Sequence, residues 1–219
     1  MRIAIFGTVG AGKSTVSKEI SKRLGYEIFP EPIEENPYFD DYYKDLKATV
    51  FKMQIYMLTA RSKQLKQAQQ LKDIIFDRTI LEDPIFMKVN YDLGNVNPTD
   101  YKTYIDFYDN VVLENLKLPD ERVKFDIVIY LKVSTKTSIK RIAQRGRPQE
   151  LLIDNSYWEI LNKNYDEFYE KNIYDFPFFV VNADEENIDK IMNVIMPKLE
   201  QLEKELKNKE QNNGKSTRS

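Results

Sequence analysis

The segment GTVGAGKST, residues 7–15, places Gly7, Gly12, Lys13 and Ser14 on the spacing G-x-x-x-x-G-K-[ST]. The chain has only seven glycines, and three of them, Gly7, Gly10 and Gly12, fall here. Glycines let consecutive amides turn inward and approach phosphate oxygens with no side chain in the way. The apolar run before the segment reads as a strand and the residues after it as a helix, whose positive end adds to an anion site. The loop from Gly7 through Thr8, Val9, Gly10, Ala11 and Gly12 to Lys13, Ser14 and Thr15 is therefore expected to hold ATP. Lys13 would reach the outer phosphates, and Ser14 would ligate Mg²⁺. Hydrolases, switches and kinases all use such a loop, so the receiver of the phosphoryl group has to be read from other side chains.

Glu31, in FPEPIEEN, follows the second candidate strand. In a parallel sheet the C-terminal strand ends line the ligand crevice. That brings Glu31 near the phosphate loop, where a carboxylate can accept the proton of an attacking hydroxyl. Glu34 and Glu35 add negative charge, which favours a neutral hydroxyl compound over an acceptor that already carries phosphate. The third candidate strand ends IIFDRT. There Asp77 can hold Mg²⁺ through water, and Arg78 can bridge Glu31 and the transferring phosphoryl group. Gln54 and Arg61, seven positions apart in a long helical stretch, share a face about 10 Å apart along the axis. Gln54 can pair with the amide edge of a nucleobase; Arg61 can do the same or pair with Asp83. In KRIAQRGRPQE, Arg141, Arg145 and Arg147 cluster at a helix end loosened by Gly146, as a lid over a triphosphate requires.

These side chains need a scaffold. At 219 residues the chain suits one domain with a substantial core. With 42% apolar and 31% charged residues it is a globular composition. The net charge of −2 gives no reason to expect nucleic acid or a membrane surface as partner. The absence of Cys and His removes disulfides, thiol nucleophiles, Cys/His zinc sites and imidazole acid–base chemistry together. No run reaches the ~18 apolar residues of a membrane span, and MRIAIFG is too short for a signal peptide. A reducing cytoplasm is the expected setting. Apolar patterning predicts strands at 2–6, 26–29, 73–77, 125–133 and 176–183. It predicts helices at 13–25, 45–72, around 80–92, 98–117, 134–146, 154–174 and 185–208. Ser134 or Thr135 is the expected cap of the helix after the fourth strand. The alternation implies an α/β fold, a parallel sheet with helices on both faces. The expectation is a single domain over 1–208 with its lid at about 141–152, and a frayed polar tail at 209–219.

From the phosphate loop through PEP, YY, FKMQ…AR, DRT…ED and RIAQRGRPQE to about position 175, the chain resembles the deoxynucleoside kinase family. Thr79 departs from it, because the family usually shows Ser after the Asp-Arg or Glu-Arg pair. The resemblance implies a P-loop kinase fold with a five-stranded parallel sheet and an Arg-rich lid. It implies Mg²⁺-dependent phosphorylation of a deoxynucleoside 5′-hydroxyl by ATP, with purines preferred and deoxyadenosine first, deoxycytidine or broad specificity as the alternative, and a homodimer. By position it makes Glu31 the base, Arg78 and Lys13 its partners in catalysis, and Asp77 the magnesium-side carboxylate. Gln54 becomes the base reader, and Tyr43 with Glu150 the holders of the 3′-hydroxyl. Arg61 and Asp83 become a pair associated with amino-bearing bases, and Arg141, Arg145 and Arg147 the lid. Thymidylate kinases place Arg before the corresponding Glu; Pro30 stands there in this chain, which favours a nucleoside over a nucleotide. The reading outside this class is a nucleotide-controlled switch with slow hydrolysis and no small acceptor.

Overall fold

The computed structural model describes residues 1–114 and 124–216. Five parallel strands, β1 (Arg2–Phe6), β2 (Glu27–Phe29), β3 (Ile74–Asp77), β4 (Ile127–Lys132) and β5 (Phe178–Asn182), lie in the order β2-β3-β1-β4-β5. β1 is central, paired on one side with β3 (Ile3 with Ile75) and on the other with β4 (Ile5 with Ile129). The chain runs from β1 to the edge strand β2, returns inward to β3, and then crosses β1 to β4 and β5; this change of direction beside β1 opens a crevice at the C-terminal ends of the strands. Alternate residues of the sheet feed two cores. Ile3, Ile5, Ile75, Ile129 and Leu131 pack with α1 (Lys13–Leu24) and α8 (Ile188–Ser216). Ala4, Phe6, Phe76, Val128 and Tyr130 pack with the helices of the opposite face. A strand buried on both sides has to be apolar throughout, which is why RIAIF and IVIYLK show little alternation.

The second face carries α3 (Leu46–Gln67), α4 (Asp83–Asp92), α5 (Pro98–Phe107) and α7 (Asn155–Asn172). A single turn, α2 (Phe39–Tyr42), precedes α3, and α6 (Thr135–Arg145) follows β4. Ser134 caps α6, accepting from the Thr137 amide, and Gly146 closes it at φ 68°. Asp45 caps α3 in the same manner.

Four helices differ from the sequence expectation. The helix expected from residue 80 is divided: Ile80–Glu82 forms a 3₁₀ turn capped by Thr79, and α4 starts at Asp83. Pro84 fits the first turn of α4, where its missing N–H has no acceptor to lose. α3 ends at Gln67, with one 3₁₀ turn at Ala68–Gln70 before β3. α8 runs to Ser216, past the expected end at 208. Pairs one turn apart, such as Glu203–Lys207 at 3.1 Å, support its exposed length. The expected helix over 98–117 is α5 plus a π-helical turn at Tyr108–Leu113. Its positions 115–117, and 217–219 of the expected tail, lie outside the described residues. Among the described residues no helix is long and apolar enough to cross a membrane.

Candidate active site

The phosphate loop leaves β1 at Gly7 and enters α1 at Lys13. Gly10, at φ 79°, lies so close to α6 that a Cβ there would meet the Ser138 carbonyl oxygen at 2.6 Å. The Ser138 hydroxyl donates to the Val9 carbonyl at 2.7 Å, so α6 clamps the loop from outside. The Lys13 ammonium donates to the carbonyls of Gly7 and Thr8 at 2.8 and 2.9 Å and is buried. Burial, reinforced by the charge of Arg78, lowers its pKa to about 8.

A cavity of about 460 Å³ opens beside the loop. Glu31, Arg78, Tyr43, Glu150 and the arginines 141, 145 and 147 share its lining with the loop, and Phe39, Met53, Met57 and Phe86 supply an apolar wall. Glu31 is brought there by the end of β2. Arg78 follows the last residue of β3 and adopts φ 75°, a left-handed conformation unusual for a side chain of this size. Its Nε lies 2.7 Å from Glu31 Oε1 as a charge contact off the N–H axis. Arg61 Nη2 reaches the same oxygen at 3.3 Å. Burial pushes the Glu31 carboxyl up, but Arg78, Arg61 and Lys13 outweigh it and hold the pKa at about 2.

Gln54, Arg61, Asp77 and Asp83 stand one layer back from the cavity lining. Arg61 is 2% exposed and reaches Glu31 only at its Nη2; Asp83 faces it at 2.9 Å. Burial raises the Asp83 pKa to about 7, with Arg61 pulling the other way. Gln54 and Arg61 are therefore both interior, on the inward face of α3. Four polar atoms of Gln54, Arg61 and Asp83, namely Gln54 Oε1, Arg61 Nε and Nη1, and Asp83 Oδ2, are buried without a hydrogen-bond partner. Unsatisfied groups of this kind cost about 1–3 kcal/mol each, and they stand here within one cluster. Ser14 donates to Asp77 Oδ2 at 2.5 Å, while Asp77 Oδ1 is also buried without a partner.

The lid arginines are held in place by specific contacts. Arg145 and Arg147 donate to the two oxygens of Glu150, at 2.5 and 3.3 Å. Arg141 donates to the Gly10 carbonyl at 3.5 Å and to the Glu185 carbonyl at 3.0 Å. It thereby links the phosphate loop to the turn after β5. Glu150 is thus shared between the lid and the cavity that Tyr43 also lines.

This arrangement sets the Glu31 carboxylate and Arg78 beside the glycine-rich loop in one cavity, and the deoxynucleoside kinase family model matches residues 3–206. The chain belongs to the deoxynucleoside kinase family. Over 209 residues it is 34% identical to the deoxyadenosine kinase of Lactobacillus acidophilus, covering 94% of this chain and 96% of that protein. A solved structure of deoxyadenosine kinase from M. mycoides with bound dATP is 72% identical, with a TM-score of 0.85, covering 91% of this chain and 100% of that one. The same kinase with the products dCMP and a flexible dCDP bound gives 70% identity and a TM-score of 0.86, covering 92% and 100%.

A deoxynucleoside kinase working on a nucleoside triphosphate needs a divalent ion. Among the described residues no group of three or more His, Cys, Asp or Glu could hold a metal by itself. Ser14 and the unpartnered Asp77 oxygen do fit a hard cation that draws its remaining ligands from phosphates and water. The sequence reading did not single out Phe39, Met53, Met57, Phe86, Tyr165 or Glu82. The apolar four carry no local mark that separates a cavity wall from ordinary core. Glu82 did have a signal, its spacing of three from Thr79, which is that of a capping box.

Proposed function

We propose that this kinase transfers the γ-phosphoryl group of Mg²⁺-ATP to the 5′-hydroxyl of a deoxynucleoside, deoxyadenosine first and deoxycytidine second, supplying monophosphates for nucleotide salvage. The observation that carries the reading is the pair of buried acceptors, Gln54 Oε1 and Asp83 Oδ2, left unpartnered beside Arg61 and Glu31. Adenine and cytosine each present an exocyclic amino group as donor and a ring nitrogen as acceptor. Two unmet acceptors and the unmet donor Arg61 Nη1 complement that edge and leave the carbonyl of guanine or thymine poorly matched.

In this reading Glu31 stays ionised at working pH because Arg78, Arg61 and Lys13 surround it. It orients the 5′-hydroxyl for in-line attack and takes its proton. A carboxylate of such low pKa is a weak base. It suffices because the transition state is loose and the proton leaves after most of the bond to the leaving diphosphate has broken. Tyr43 and Glu150 hold the 3′-hydroxyl. Lys13, Arg78 and the lid arginines 141, 145 and 147 balance charge on the phosphates and exclude water. Ser14 and Asp77 would hold a magnesium ion, which when bound would supply positive charge to the phosphates. A homodimer, as the family resemblance implies, belongs to the same reading.

Initial rates on all four deoxynucleosides with Mg²⁺-ATP test it. Deoxyadenosine and deoxycytidine are expected to outpace deoxyguanosine and thymidine, and ATP turnover without an acceptor is expected to be negligible. ATP consumption indifferent to added nucleoside would instead identify a switch. Asp83→Ala removes one acceptor and leaves Arg61 with Glu31 alone. The kcat/KM ratio of deoxyadenosine to deoxyguanosine is expected to fall by about 5- to 100-fold, the value of ~1–3 kcal/mol for a lost buried partner. Unchanged ratios would remove Asp83 from base selection.

A further inference from the structure

Glu82 is 0% exposed, does not line the cavity, and is used at both oxygens. Oε1 accepts from the Thr79 amide at 3.0 Å. Oε2 accepts from the Tyr165 hydroxyl at 2.7 Å, from Arg78 Nη1 at 3.3 Å and from the Gly7 amide at 3.4 Å. One carboxylate therefore joins the first residue of the phosphate loop, the segment after β3 and helix α7. Arg78 also donates to the Tyr165 hydroxyl, and its guanidinium carbon lies 4.7 Å from the centre of the Phe86 ring. A residue at φ 75° keeps that conformation only when its surroundings over-determine it. Here they do: Glu31, Glu82, Tyr165 and Phe86 all hold the side chain, and Glu82 also binds Tyr165.

The reacting geometry explains what such a brace is for. Arg78 lies between two carboxylates, Glu31 at 2.7 Å and Glu82 at 3.3 Å. When an acceptor hydroxyl reaches Glu31, that carboxylate must give up part of its hold on Arg78. With no second anion the guanidinium would follow Glu31 or swing toward the phosphates. We propose that Glu82, with Tyr165, is the positioning residue of the phosphoryl-transfer centre: it fixes Arg78 and ties it to Gly7, so that the acceptor and donor subsites keep one mutual geometry through the reaction. This rests on the reading of Glu31 and Arg78 given above. A buried charge is costly to keep and ruinous to half-remove, so a loss of fold has to be separated from a loss of alignment.

The test is steady-state kinetics on Glu82→Gln, which keeps size and acceptor capacity but drops the charge, with Tm measured alongside. The kcat per folded molecule is expected to fall by about 10- to 100-fold, the cost of a misplacement near 1 Å. The KM for deoxynucleoside is expected to stay within about threefold, because Glu82 touches no substrate. In an Arg78→Met background the same change is expected to cost less than about threefold, since the group it acts through is gone. A kcat within about fivefold of the parent, or an undiminished loss in the Arg78→Met background, overturns the proposal. Should Glu82→Gln fail to fold, Tyr165→Phe decides. A kcat lowered several-fold at unchanged KM supports the brace, and parental kcat overturns it. A parent chain inactive on every deoxynucleoside would instead remove the reading of the site on which the brace rests.

Discussion

Glu31→Gln is expected to lower kcat by about 10²- to 10⁴-fold, the range of a lost general base, while the KM for ATP stays within about threefold. The substitution keeps the shape and the hydrogen-bonding reach of the side chain. It removes the cavity-lining anion that, among the described residues, touches Arg78 and Arg61 together. An amide cannot take the hydroxyl proton, and it leaves two buried guanidiniums with Glu82 and Asp83 as their remaining anions. The acceptor hydroxyl then binds a neutral carbonyl instead of a carboxylate, so its oxygen is both less nucleophilic and less firmly oriented. On the proposed reading ATP meets the loop and the lid arginines, none of which hydrogen-bonds Glu31, so donor binding is expected to be spared. Near-parental kcat in Glu31→Gln would show that the proton leaves by another route.

The parts of this site that could be read from the sequence are those fixed by local rules. GTVGAGKS declares itself because the backbone needs glycine at defined offsets and a strand and helix on either side. Glu31 and Asp77 follow from standing at the ends of strands whose common direction the alternation of elements implies. Gln54 and Arg61 were placed on one face by spacing alone, but spacing could not say whether that face looked to solvent or to the core. Asp83, packed against Arg61 from α4, decides it. What stayed illegible depends on chain segments far apart in sequence. Glu82 sits 75 positions from Gly7 and 83 from Tyr165, and nothing in ILED separates its role from that of Asp83. The left-handed turn at Arg78 is equally silent, since it is imposed by partners on β2, α4 and α7 rather than preferred by arginine. The polar composition after residue 208 was compatible with a frayed end and equally with the exposed helix that α8 continues to Ser216.

Lys13 carries the second large effect, and its sign can be worked out. In the free enzyme, burial and then the charge of Arg78 bring its pKa from 10.5 to about 8. Bound triphosphate supplies the negative charge that burial denied it and restores the protonated form. Binding ATP above pH 8 therefore takes up a proton. Each pH unit beyond that point weakens binding by about tenfold, ~1.4 kcal/mol, until the pKa of the bound state is reached. Below pH 8 the ammonium is present in both states and the dependence vanishes. The KM for ATP is thus expected to be flat from pH 6.5 to 8 and to climb by about tenfold by pH 9, with the KM for deoxynucleoside changing far less. Lys13→Ala is expected to abolish that climb. It should also lower kcat by about 10²- to 10³-fold, the cost of one preorganised donor to transition-state charge. The loss goes beyond charge, because the ammonium also bonds the Gly7 and Thr8 carbonyls and so holds the loop in its phosphate-binding shape. A KM for ATP that stays level to pH 9.5 in the parent chain would mean that the Lys13 proton is not lost in the empty site, the carboxylates of Glu31, Glu82 and Asp77 outweighing burial there.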